Sequence, residues 1–387
     1  TWAFLMGIKA KGQSFALYMS LSAFAFGANL FIYHNARVFV PTFTLMLIFL
    51  FRKTLLKNIK KLIIPAIISA AFVVILIPIL FSISGQLRYK GTTIFGDLSP
   101  QFAASELIKQ DEESGQLTEG KILHNRRFVY VPILIDNYLS NFRANYLFFS
   151  ADMERHHAPE MGLLYLWDLP FILAGMYFLA RKNFDWKTKI IIFWWFIIAP
   201  LAASVTWGVP HSLRSEIYLP TYQIFAALGV ITLISYTKKK KLFALIAGLV
   251  LFLIFIFYLH MYYKHMAKEF SSSWMYGRKE AALFSDSIKG DYDRVIVSTK
   301  LEQPHEFWLY YLKYDPKKYQ DEGGTVSGGF LEERNRFDKY YFKPINYEQQ
   351  KLEQKTLFVG TPQELVNANV LKTIYYINGE KAIVIGE

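Results

Sequence analysis

Three short basic segments, each set between two apolar runs, limit what this chain can fold into. They are Arg52–Lys61 (RKTLLKNIKK), Arg181–Lys189 (RKNFDWKTK) and Lys238–Lys241 (KKKK). The connections that alternate with them, 84–161 and 206–215, carry no comparable cluster. Short cytoplasmic loops of membrane proteins collect Lys and Arg. The alternation therefore predicts a polytopic α-helical membrane protein of the plasma membrane, with its long segments facing away from the cytoplasm.

Composition supports this reading, since 53% of the 387 residues are hydrophobic and 17% are aromatic. Apolar runs of about 20 residues cross a bilayer. Seven are read, at 14–32, 38–51, 62–83, 163–180, 189–205, 216–236 and 242–263. The 38–51 run is short, and it borrows length from the stem of Arg52 and from Leu55–Leu56 while the basic heads snorkel. With Lys9 and Lys11 inside, the spans alternate without contradiction, and Tyr33–Arg37 forms a tight outer turn. The opening Thr1-Trp-Ala-Phe-Leu-Met-Gly reads as the tail of a further span, so the expectation is of a sequence truncated at its N terminus.

The net charge of +12 invites a nucleic-acid reading, and its distribution excludes one. Segment 264–387 holds 18 basic and 18 acidic residues, and 84–161 holds 8 and 10. The rest holds 17 basic residues, of which 15 are the inferred cytoplasmic ones. The excess sets topology and is not a footprint for DNA or RNA. There is no cysteine from which to read a redox compartment.

Two segments are expected outside the cytoplasm. In 84–161, Gln101–Gln116 is amphipathic, with Phe102, Leu107 and Ile108 on its less polar side. Phe128–Ile135 reads as a strand or an interfacial helix, and the aromatic stretch Tyr138–Phe149 suits the bilayer surface. The segment 264–387 reads as a small α/β domain. It has helices at Gly277–Ile288 and Pro304–Tyr314, and strands at Arg294–Ser298 and Lys355–Val359. A closing hairpin, Thr373–Ile377 with Ala382–Ile385, turns at Asn378-Gly379. Gly323-Gly324 and Gly328-Gly329 bound a loop.

Within the membrane sector only Arg37 and Arg214 are basic residues that the cytoplasmic loops do not explain. Tyr33, His34, His211, Glu216 and Asp168 fall at similar depth. Asp168 is expected about five residues inside the 163–180 span, and an ionisable residue there is a functional hypothesis by default. A guanidinium binds phosphate oxygens bidentately, so two at headgroup level suit a lipid phosphate. The alternative is that Arg37 and Arg214 pair with Asp168 and Glu216 and lock helices together. The densest polar run is Asp152–Glu160, with Arg155, His156 and His157. Asp152, His156 and His157 offer ligands to a divalent metal, but adjacent histidines are not a specific metal spacing. The run reads instead as a substrate-contacting loop, with no cofactor assigned and a divalent metal as the alternative.

Tyr33-His34-Asn35-Ala36-Arg37-Val38-Phe39-Val40-Pro41 resembles the Y-H-S-A-R-x-x-x-P signature of bacterial dolichyl-phosphate-mannose–protein mannosyltransferase-like proteins. Asn137–Phe142, Asn145–Phe149, His156-His157, Gly162–Tyr165, Leu169–Phe171 and Pro210–Arg214 resemble later motifs of that family, in the same order. Asn35 stands where the family usually has Ser. The resemblance implies a GT-C glycosyltransferase that moves a sugar, with inversion, from a polyprenyl-phosphate donor to a protein, lipid or glycan acceptor outside the cytoplasm. It implies donor-phosphate contacts from Arg37, Arg214 and His211. It implies substrate contacts from Tyr33, His34, Arg155, His156, His157, Asp168 and Glu216. The family's catalytic carboxylate lies in an outer loop that precedes the stretch seen here, so no catalytic residue is assigned. Two rivals come from other classes, a flippase or transporter of lipid-linked sugars and a non-catalytic scaffold displaying 264–387. A transporter calls for polar or broken helix at mid-membrane, and a scaffold has no need for the arginines and histidines to converge.

Overall fold

The computed structural model of the chain describes residues 1–125, 128–326 and 335–387. The Gly328-Gly329 end of the expected loop lies outside the described residues. Two compact units form, Thr1–Ile254 and Phe255–Glu387. The division falls inside the last apolar helix, earlier than the expected boundary at 264.

Among the described residues five helices are long and apolar enough to cross a membrane: Gly12–Ile32, Ala36–Lys57, Ile59–Phe81, Trp186–Ser204 and Lys240–Glu269. A sixth candidate is the pair Ser212–Tyr218 and Thr221–Tyr236, which meet at 50°. No residue in the most apolar window of Lys240–Glu269 is buried, and few are in that of Ile59–Phe81. A helix that exposes apolar side chains all round is solvated by lipid, not by water.

One expected span reaches full length as anticipated and another is corrected. The short 38–51 run is part of a 22-residue helix, Ala36–Lys57, about 33 Å long. Its last turns carry Arg52, Lys53 and Lys57, and the Arg52 guanidinium carbon sits 4.5 Å from the centre of the Phe49 ring. The 163–180 run is helical only over Asp168–Arg181, because residues 163–167 are turns. Fourteen residues reach about 21 Å, short of a 30 Å hydrocarbon core. This helix packs on Thr221–Tyr236 where two glycines meet. A Cβ on Gly175 would lie 1.8 Å from the Phe225 carbonyl oxygen, and one on Gly229 would lie 2.0 Å from that of Phe171. Small residues are what allow two backbones this close in an apolar bundle.

The centre of the first unit is aromatic. Phe43 and Leu47 are fully buried. Phe39 stacks on Phe43 at 5.1 Å, and Trp195 meets Phe43 edge-on. The Trp195 indole N–H donates to the Ile217 carbonyl at 2.7 Å, which satisfies the one polar atom this side chain brings into the core.

The basic segments gather at one end of this unit. Lys187 Nζ lies 4.5 Å from the centre of the Phe51 ring, beside Arg52. Lys182 Nζ lies 5.3 Å from the Phe178 ring and 5.4 Å from the Tyr236 ring. Tyr236 stacks on Phe178 at 6.0 Å, just before the chain enters Lys238–Lys241. Arg37, at the start of Ala36–Lys57, is a helix length away from this cluster.

In the long connection, Ser99–Glu113 is helical as expected, but Phe102 and Leu107 point outward and Ala104 is the buried residue. Tyr130–Ser140 is helix, which decides between the two readings of that stretch.

The second unit contains a six-stranded sheet: β1 Arg294–Val297, β2 Arg336–Phe337, β3 Tyr340–Phe342, β4 Thr356–Gly360, β5 Val370–Tyr375 and β6 Lys381–Gly386. Their order is β2-β3-β1-β4-β6-β5. β1 runs parallel to both β3 and β4, and the remaining pairs are antiparallel. Alternate side chains go to opposite faces of a strand. Val295, Val297, Leu357, Val359, Ile383 and Ile385 pack with Ala281, Ala282 and Trp308 of the helices Arg278–Ile288 and Pro304–Tyr311. Ile296, Phe358 and Val384 pack with Leu365 on the other face. The expected closing hairpin is β5–β6, turning through Gly379 at φ 92.

Candidate functional site

Three turns meet at the end of the first unit remote from the basic segments. The first joins the first two long helices. Its Asn35 is buried, and the side chain donates from Nδ2 to the Arg214 carbonyl at 3.1 Å. This bond joins the Tyr33–Pro41 motif to the Pro210–Arg214 motif. Arg37 folds back so that Nε donates to the Leu30 carbonyl at 3.1 Å, satisfying an acceptor left open at the end of Gly12–Ile32. Tyr33 is half-buried and His34 is exposed, with their rings 5.9 Å apart.

The second turn follows Trp186–Ile198. It is braced by a bridge between Thr93 and Thr206 and by Asn137 Nδ2, which donates to the Ser204 carbonyl at 3.0 Å. The Arg214 guanidinium donates from Nη1 to Thr206 Oγ1 at 2.8 Å and to the Trp207 carbonyl. It therefore stiffens this loop. Glu216 is exposed one turn further on.

The third turn is the Asp152–Glu160 loop. Left-handed backbone at Ala151 and Glu160, φ 48 and 56, brackets it. Such conformations cost a non-glycine residue roughly 1–2 kcal/mol each, so the surrounding contacts must hold them. The Asp152 side chain is 2% exposed. Its Oδ2 lies 2.7 Å from His156 Nδ1, and it accepts from Ser212 N at 2.8 Å and from Ser212 Oγ at 3.2 Å. His211 Nδ1 lies 3.8 Å from the same oxygen, and the His156 and His211 rings are 4.8 Å apart. Asp152 Oδ1 and His211 Nδ1 are both buried with no hydrogen-bond partner. Burial, aided by the nearby Arg214 charge, pushes His211 down to about 4, so its imidazole is neutral at physiological pH.

These positions revise several expectations. Asp168 is not stranded within an apolar span. It opens the Asp168–Arg181 helix, and its Oδ2 accepts the Tyr165 amide at 3.1 Å. A carboxylate in the first turn faces the positive end of the helix dipole, and no function is needed to explain it. The pairing of Arg214 with Asp168 does not form, since each is held by other partners. His157 turns away from Asp152, with Nδ1 at 2.8 Å from the Ala158 carbonyl. His211, not His157, stands with His156 beside Asp152. Arg155 is half-buried on the same loop. The sequence signal for His211 was present in its motif but pointed to phosphate. Its partnership with Asp152 spans 59 residues and has no local signature.

Comparison of the chain with protein-family models, with curated proteins and with solved structures finds no match.

Proposed function

We propose that this chain is an integral membrane glycosyltransferase of the GT-C type, similar to the mannosyltransferases. It would transfer a sugar from a polyprenyl-phosphate donor to a protein, lipid or glycan acceptor, with inversion. The observation that carries the reading is the Asn35–Arg214 bond. It makes neighbours of the two arginine-bearing turns at the end remote from the basic segments. On the positive-inside rule that end, with 84–161 and 264–387, faces the outside of the plasma membrane. Negative charge grows on the phosphate as it leaves the anomeric carbon, and fixed cations in a water-poor site stabilise it. Arg37 and Arg214 supply the cations, and Tyr33, His34, Arg155, His156 and Glu216 are the candidates for substrate contacts on the same turns.

Vesicles carrying the protein, charged with undecaprenyl-phosphate mannose or glucose and supplied with an extract of membrane proteins, lipids and glycans as acceptors, test this. Transfer of the sugar to an acceptor with release of undecaprenyl phosphate is expected. Translocation of the donor without its consumption is the behaviour of a flippase and contradicts the proposal.

A further inference from the structure

We infer that Asp152, His156 and His211 form a binding site for a divalent transition-metal ion, with zinc the best fit to the ligand set. The inference goes beyond the proposed function and stands whether or not the chain transfers a sugar. One ligand atom from each of the three residues lies within 4.8 Å of the other two. Two imidazoles and one carboxylate form an N/O set typical of zinc sites that keep one coordination position open.

Two observations separate this cluster from an ordinary hydrogen-bonded latch. Buried polar atoms in folded proteins are almost always paired. Here two of the three members each carry a buried atom without a partner, Asp152 Oδ1 and His211 Nδ1. The Asp152 side chain is 2% exposed, so its free oxygen does not face bulk solvent. Its other oxygen is already anchored by the Ser212 amide and hydroxyl at 2.8 and 3.2 Å. Outer contacts of that kind orient a ligating carboxylate.

The spacing suits a metal. Bonds of about 2.0–2.1 Å at tetrahedral angles set ligand atoms roughly 3.3–3.5 Å apart. Both rings stand at this carboxylate, 2.7 Å (His156) and 3.8 Å (His211) from Oδ2, so an ion held by the free Oδ1 needs only a small movement of the rings. The rings are tilted 44° to each other and can share one ion after a small adjustment. The loop that carries the site is already held in place at its two left-handed ends, Ala151 and Glu160. An ion here would clamp the Asp152–Glu160 loop to the start of Ser212–Ser215.

Metal content of the full chain in detergent decides the matter. The exposed pair His260 and His265, 3.2 Å apart, can also collect zinc, so His265→Ala is the background. After stripping with EDTA, exposure to zinc chloride and dialysis, one zinc per chain should remain. His156→Ala and His211→Ala should each weaken zinc binding at least tenfold, and cobalt loaded into the background protein should show tetrahedral visible bands. Zinc binding that is absent, or that is unchanged in both variants, overturns the inference. If either variant fails to fold, X-ray absorption at the zinc edge of the background protein gives the answer. Two imidazoles in the coordination shell support the site, and none refutes it.

Discussion

Replacing Gly175 with Ala tests whether the short Asp168–Arg181 helix is held by backbone contact with Thr221–Tyr236. The added methyl would sit 1.8 Å from the Phe225 carbonyl oxygen. A relaxed carbon–oxygen contact is about 3.3–3.6 Å. The two helices must therefore separate by roughly 1.5 Å along the whole crossing, since the obstacle is backbone and cannot rotate away. Overpacking of this kind costs about 1–3 kcal/mol. It outweighs the gain of at most about 1 kcal/mol from replacing a helical glycine. Gly229→Ala should behave alike, because its methyl would meet the Phe171 carbonyl at 2.0 Å. Gly248→Ala is the control, since nothing lies within 4 Å of its Cβ position. Melting followed by tryptophan fluorescence in detergent should show both crossing variants lowered, by roughly 2–4 °C per kcal/mol for a unit of this size. The control should be unchanged or raised. Crossing variants that melt at or above the parent temperature would refute the close-contact argument.

Other outcomes follow from single features. The chain lacks cysteine, so introduced thiols report sidedness cleanly. Ser114→Cys and Leu352→Cys should react with an impermeant maleimide from one face of oriented vesicles and Lys239→Cys from the other; any other partition overturns the topology. Phe43→Ala empties a fully buried aromatic site and should destabilise the first unit by about 3–5 kcal/mol, read by chemical denaturation. Gly379→Val forces a β-branched residue to φ 92, so it should cost at least about 1–2 kcal/mol and speed proteolysis of the second unit. A variant as resistant as the parent would contradict the turn assignment.

Much of the architecture was legible because it rests on local patterns. Lys and Arg placed the segments that the structure gathers beside Phe51 and Tyr236. The Asn-Gly pair marked the β5–β6 turn. What escaped notice depends on long-range packing. Nothing near Leu163 announced that helix would start only at Asp168, since that boundary is set by an i−3 bond to the Tyr165 amide. The short β2–β3 hairpin turns through Asp338 at φ 47 and is too brief to show alternation. At the site, the motif arginines were visible. Their backbone partners were not: Leu30 for Arg37 and Trp207 for Arg214. The exchange of His157 for His211 beside Asp152 was equally hidden, because it depends on how two distant loops fold together.

We propose that the turns remote from the basic segments recognise a polyprenyl phosphate through its phosphate. Native mass spectrometry of the protein in micelles, titrated with undecaprenyl phosphate and with undecaprenol, measures this directly. A charge-assisted guanidinium contact contributes about 1.5–3 kcal/mol, or roughly ten- to a hundredfold in affinity. A preference of that size for the phosphate is expected, reduced by Arg37→Ala and by Arg214→Ala and lost when both are replaced. Equal binding of the two lipids, or a preference indifferent to both arginines, would contradict it.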